Sequence, residues 1–88
     1  MIGIQVQLEL VDGTKHELDI TWGIAYRWQL SHPDSSISET LEKGRLDHIM
    51  DLAWEAARTN NLNPKPVHQW VDEVVEVRIT TPKAEPTT

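Results

Sequence analysis

Apolar and polar residues alternate from the start of the chain: Ile4, Val6, Leu8 and Leu10 are separated by Gln5, Gln7 and Glu9. A period of two gives a strand with one apolar and one polar face. Asp12-Gly13 follows, a dipeptide suited to the two positive φ angles of a type I′ hairpin turn. Beyond it Lys15, Glu17 and Asp19 alternate with His16, Leu18 and Ile20. Two strands of matched length around Asp-Gly predict a hairpin, and its apolar face needs a cover because an isolated hairpin is marginal in water.

The pattern changes to steps of three and four in the longest helical stretch, Ile37 to Thr59. Ser36 stands at the N-cap with Glu39 three residues on, the spacing of a capping box. Leu46, Ile49, Met50, Ala53, Trp54 and Ala57 fall on one helical face, predicted to cover the hairpin. Asp47, Asp51 and Glu55 recur at steps of four and form an acidic stripe, and Arg58 lies in the last turn, where a cation suits the helix dipole. Asn60, Asn61, Pro64 and Pro66 end the helix. Gly44 costs about 1 kcal/mol against alanine inside a helix. It marks either a close backbone approach or a break separating Ile37–Lys43 from Arg45–Thr59.

Two shorter segments flank this stretch. Thr21 caps a helix predicted over Trp22 to Leu30, with Ile24, Ala25 and Trp28 on one face and Leu30 at its margin. Ser31 to Ser35 reads as a loop, since Pro33 restricts His32 and Asp34 and Ser35 compete for backbone hydrogen bonds. Pro66 suits the first turn of a third helix, whose face is Val67, Trp70, Val71, Val74 and Val75. That helix is expected to end near Glu76, with a short extended piece over the alternating Val75, Val77 and Ile79. The expected architecture is one α+β domain over residues 1–80: an N-terminal β-hairpin packed against about three helices, the central one longest. Thr81–Thr88, with two prolines and no large apolar residue, is expected to be a flexible tail.

Composition narrows the function. A chain of 88 residues has a small core and a small stability margin. It contains no cysteine, so neither a disulfide nor a thiolate metal site is available. A net charge of −6 argues against nucleic acid as the main partner. No apolar run approaches the ~20 residues that span a bilayer, and the N-terminus lacks the basic and apolar regions of a signal peptide. The expectation is an intracellular protein with neither membrane nor nucleic-acid partner. Four tryptophans, one tyrosine and no phenylalanine concentrate the aromatic area in side chains with a polar edge, which suit a core or a protein interface.

Catalytic and metal chemistry find little footing. His16, His32, His48 and His68 lack a metal-ligand spacing. His48 and Asp51, three apart on a helix, read as solvated neighbours. Ser31 beside His32 does not give nucleophile–base geometry. Ser35, Ser36 and Ser38 read as loop and cap residues, and the scattered glycines form no phosphate loop. No cofactor is expected. Trp54 and Trp70 are expected in the core. The candidate protein-binding residues are Trp22, Tyr26 and Trp28, insofar as they face outward, and the stripe Asp47, Asp51 and Glu55, as a contact strip for a basic partner.

Three stretches taken in order carry a family resemblance: VQLELVDGTKHELDI, LDHIMDLAWEAART and PVHQWVDEVVEVRIT. Over most of residues 4–80 the chain resembles the tail assembly chaperones of long-tailed (siphovirus-type) bacteriophages, especially those of actinobacterial hosts. The family pattern often has phenylalanine shortly before the tryptophan of the third helix; here Val67 stands there. The resemblance implies a non-catalytic protein in the host bacterial cytoplasm that binds the helical tape measure protein and keeps it soluble. It also implies help in delivering tail tube protein, with self-association as a possible homo-oligomer. Many such chaperones have a second, longer product made by a frameshift, for which Thr81–Thr88 would be the place.

Two rival readings are carried alongside. A small acidic inhibitor mimicking nucleic acid would need Asp47, Asp51, Glu55, Asp72, Glu73 and Glu76 on one continuous face of two neighbouring helices. A minor structural subunit of the virion is the other.

Overall fold

The hairpin forms where the alternation places it. In the computed structural model, which describes residues 3–80, β1 (Ile4–Leu10) pairs antiparallel with β2 (Lys15–Ile20). Val6, Leu8, Leu18 and Ile20 are buried, while Gln5 and Gln7 on the other face donate to Asp19 and Glu17 at 2.8 and 3.4 Å. The turn differs from type I′. Only Gly13 takes a positive φ, +89°, and Asp12 does not. The Gly13 amide donates to the Leu10 carbonyl and the Leu10 amide to the Thr14 carbonyl. This is a three-residue loop closed by a glycine bulge. Asp12 instead accepts from the Thr14 amide at 3.0 Å and hydroxyl at 2.6 Å, which fixes the loop from its side chain.

Three helices follow in the first two-thirds of the chain: α1 (Trp22–Ser31), α2 (Ile37–Lys43) and α3 (Leu46–Thr59). Thr21 caps α1 by accepting from the Ile24 amide, and Ser36 caps α2 by accepting from the Glu39 amide. Of the two readings of Gly44, the break is the observed one. Gly44 has φ +68° and its amide donates to the Thr40 carbonyl, a left-handed C-cap that turns the chain between α2 and α3. The continuous helix over Ile37–Thr59 is thus corrected to two helices.

The buried face of α3 is also rotated from the expected one. Leu52, Ala53, Ala56 and Ala57 are buried, whereas Leu46 is 81% exposed and Met50 and Trp54 are half-buried. Three alanines on one stripe let α3 come close to the sheet and to α1, so the tightest contact follows the small residues rather than the bulky ones.

The largest departure comes after Pro66. A helix to Glu76 and then a short extended piece were expected; instead α4 (Val67–Trp70) is a single turn, Val71–Glu73 is a 3-10 turn, and the extended piece begins earlier, as the strand β3 (Val74–Thr80). Val74, Val75, Val77 and Ile79 are β-branched, which favours a pleated surface. The second edge of β1 supplies backbone partners for them. The sheet therefore has three antiparallel strands in the order β2-β1-β3, with β1 central and a bulge in β3 opposite Glu9 and Leu10. The fold is α+β, with α1 and α3 on one face of the sheet and a polar opposite face.

The core joins Val6, Leu8, Leu18 and Ile20 of the sheet to Ile24 and Trp28 of α1, the buried stripe of α3, and Trp70. Trp70 is in the core as expected, while Trp54 sits at its margin with its indole N–H donating to the Lys65 carbonyl at 2.7 Å. Among the described residues no helix is long and apolar enough to cross a membrane. The expected tail, 81–88, lies outside the described residues.

Candidate protein-binding surface

Helix α1 has two unlike faces. Ile24, Ala25 and Trp28 point into the core. On the opposite side Trp22, Tyr26 and Leu30 stand at steps of four and are 71%, 66% and 64% exposed. Steps of four place these side chains in one row along the helix. Leu30, expected at the margin of the core, belongs to this outer row. The exposed positions of α1 are Trp22, Gly23, Tyr26, Leu30 and Ser31, none of them charged. Arg27, the helix's one charged residue, is drawn sideways: its guanidinium donates to Thr59 Oγ1 at 2.8 Å and pairs with Glu55 at 3.4 Å. The result is an uncharged, largely aromatic ridge on the side of α1 opposite its core face.

Trp28, a candidate contact if it faced outward, does not. Its side chain is fully buried, and its indole N–H donates to the His48 carbonyl at 3.0 Å. Six residues separate the two roles, so the side chains leave α1 on different faces: Trp22 lies on the outer row and Trp28 on the inner one.

The acidic stripe is engaged within the chain. Asp47 pairs with Arg45 at 3.0 Å, and the Arg45 hydrogen bond holds its carboxyl below the usual range. Asp51 meets His32 at 2.9 Å. Glu55 is bonded to Arg58 at 2.9 Å as well as to Arg27, with only 13% of its side chain exposed. Each carboxylate thus has a cationic or hydrogen-bonding partner within the chain, and of the three Asp47 is the most exposed. Glu73 pairs with Lys65 and Glu76 with Arg78, both on a turn or strand rather than on a helix. The two-helix acidic face required of a nucleic-acid mimic is therefore not formed.

A cluster that sequence reasoning passed over joins α1, α2 and α3. His32 stacks on Trp28 with centroids 4.3 Å apart and meets the His48 ring edge-on at 4.5 Å. Its Nδ1 lies 2.8 Å from the Trp28 carbonyl, which can only accept, so Nδ1 donates; its Nε2 faces Asp51. Thr40, buried, reaches His48 Nδ1 at 3.5 Å. The cluster's local signals are Trp28 and His32, four apart, and His48 and Asp51, three apart on α3, which were expected to be solvated neighbours and instead both meet His32. With Thr40 closed off from solvent the arrangement holds three helices together and offers no accessible nucleophile. Among the described residues no group of three His, Cys, Asp or Glu side chains is placed to hold a metal.

A second apolar surface lies between the start of α3 and the α4–β3 segment. It is a groove of about 700 Å³ lined by Leu46, Ile49, Met50, Val67, Val71 and Val75. Leu46, Val71 and Val75 are exposed in it. Val71 and Val75 lie beyond the single turn α4, where a longer helix was expected, which is why the sequence pattern did not reveal it.

Compared with protein-family models, with curated proteins and with solved structures, the chain matches none.

Proposed function

We propose that this chain is a non-catalytic protein-binding module, and specifically a tail assembly chaperone that holds the tape measure protein of a long-tailed phage before tube assembly. The observation that carries the reading is the ridge of Trp22, Tyr26 and Leu30, three large side chains each about two-thirds exposed on one helix. Exposed aromatic anchors in a row match an amphipathic helical client, which presents apolar residues at the same helical spacing. The uncharged ridge supports a client recognised by apolar contact, and the net charge of −6 favours solubility when the ridge is empty. The sequence resemblance is what points to this client, and the ridge supports an apolar contact with it.

The test is co-expression with the tape measure protein of the same genome, reading its soluble fraction and its co-elution on a sizing column. Co-elution that is lost in the Trp22→Ala/Tyr26→Ala double variant supports both the function and the surface. A tape measure protein that stays insoluble, with the present chain eluting alone, rejects the chaperone reading.

A further inference from the structure

We infer that two copies of this chain associate edge to edge through β3, forming a continuous six-stranded antiparallel sheet about a twofold axis at Val77. This stands apart from the chaperone reading and uses none of the α1 ridge.

The backbone phase of the sheet shows which groups are free. The Leu10 amide bonds to Thr14 on the β2 side, and the Val11 amide bonds to the Glu73 carbonyl on the β3 side, at 2.8 Å. Even-numbered residues of β1 therefore serve β2 and odd-numbered ones serve β3. Glu76, Arg78 and Thr80, opposite Glu9, Gln7 and Gln5, turn their backbone groups toward β1. Val77 and Ile79 turn theirs outward. Among the described residues no backbone partner meets them there.

An open edge is commonly blunted by proline, lysine or an inward-pointing charge. The strand Val74–Thr80 contains none of these, and the bulge sits only at its beginning. Its two charges, Glu76 and Arg78, lie on the outer face on either side of Val77 and at present pair with each other at 3.0 Å.

The charges select both the occupant and the register. With the axis at Val77, Val77 of the two copies exchange backbone hydrogen bonds. Glu76 of each copy then lies directly across from Arg78 of the other, so two ion pairs form by symmetry. Val75, 58% exposed, comes beside Ile79 of the second copy. An axis at Glu76 or Arg78 would set like charges face to face. The opposite edge differs. On β2 an axis at Glu17 opposes Glu17 to itself and one at Leu18 opposes Glu17 to Asp19, and β2 begins with Lys15, the kind of charge that blunts an edge, whereas β3 carries no lysine. Because the axis is perpendicular to the sheet, the helices of both copies lie on one face and both α1 ridges stay uncovered.

Sizing chromatography with light scattering on the full chain tests this, in dilution series and at low salt. The wild type should run as a dimer of the 10.1 kDa chain. Glu76→Arg and Arg78→Glu should each weaken the dimer by roughly tenfold or more, since two attractive pairs become repulsive. Mixed together, these two variants should form a heterodimer, because every cross-strand pair is again opposite in sign. Val77→Pro removes an outward amide while leaving the β1 bonds intact, so it should fold, by far-UV circular dichroism, and run as a monomer. A wild type that stays monomeric throughout overturns the inference. So does a folded Val77→Pro that remains dimeric, or a mixture of the charge variants that pairs no better than either alone. If Val77→Pro does not fold, the charge-mixing experiment decides.

Discussion

His32 Nε2 lies 2.9 Å from Asp51 Oδ2 and ties the end of α1 to the middle of α3. The imidazole is nearly enclosed, with 10% of its side chain exposed, and its other nitrogen is committed to the Trp28 carbonyl. A hydrogen bond involving charge is worth roughly 1.5–3 kcal/mol when one partner is left behind. Asp51→Ala should therefore destabilise the domain by about 1–3 kcal/mol, the lower end reflecting its partial exposure. His32→Ala should cost more, because the stack on Trp28 goes with it. Urea unfolding of both singles and the double variant measures the coupling; additive losses would mean that the contact contributes nothing of its own.

The two tryptophans of α1 should behave oppositely. Trp28→Ala empties a fully buried site and should cost about 3–5 kcal/mol, a large part of the roughly 4–13 kcal/mol available to a domain of this length. Thermal unfolding should show a much lowered midpoint or no cooperative transition. Trp22→Ala and Tyr26→Ala remove exposed side chains and should stay within about 0.5 kcal/mol of wild type. A variant that loses client binding at unchanged stability would be read as an interface residue. Loss of stability in Trp22→Ala would place that ring in the core and remove the ridge.

Where one period dominated, the sequence was readable. The strict alternation of residues 4–10 and 15–20 located both strands, and Ser36 with Glu39 located the start of α2. The third strand was partly legible: alternation marked an extended piece over Val75, Val77 and Ile79, but Val67, Trp70, Val71, Val74 and Val75 satisfy a helical spacing as well as a strand composition, which carried the expected helix on to Glu76. Local pattern alone does not weigh that helix against a vacant edge on β1 some sixty residues earlier. The ridge was half legible: periodicity put Trp22 and Trp28 in one helix, but two tryptophans six apart point in different directions. Asp51 and Glu55 looked like part of an open stripe because their partners His32 and Arg27 come from a distant segment.

Two glycines should respond to alanine with opposite signs. Gly44 has φ +68°, and a Cβ there would meet nothing within 4 Å. The penalty is then purely backbone, roughly 1–2 kcal/mol for a left-handed residue that is not glycine. Gly23 lies within α1, where a Cβ would make ordinary contact with the Arg27 side chain at 3.5 Å. Gly23→Ala should stabilise by about 0.5–1 kcal/mol through helix propensity. Chemical denaturation of both variants checks the pair. Equal effects would mean that α2 and α3 join without the left-handed turn.

The charged turns predict where stability changes with pH. The Thr14 hydroxyl and then the Thr14 amide hold the Asp12 carboxyl below its ordinary 3.8. A carboxyl lowered on folding contributes stability above its unfolded value and loses it as pH falls through the folded value. The destabilisation of Asp12→Ala relative to wild type should thus be full at neutral pH and shrink below about pH 3.8. Lys65 has the reverse sign. Its hydrogen bond to Glu73, followed by their attraction, raises it above 10.5, so its contribution is present below that value and is lost as pH rises through the folded one. Lys65→Met should therefore differ from wild type at neutral pH and converge with it in strong alkali. Both groups are exposed, so added salt should reduce the Lys65 difference much more than the Asp12 one: the first rests on an ion pair and the second on hydrogen bonds within a turn. Urea midpoints measured across pH, at low and high salt, check each sign separately. An Asp12→Ala difference that persists unchanged in acid would show that the turn is held by geometry rather than by the carboxylate's charge.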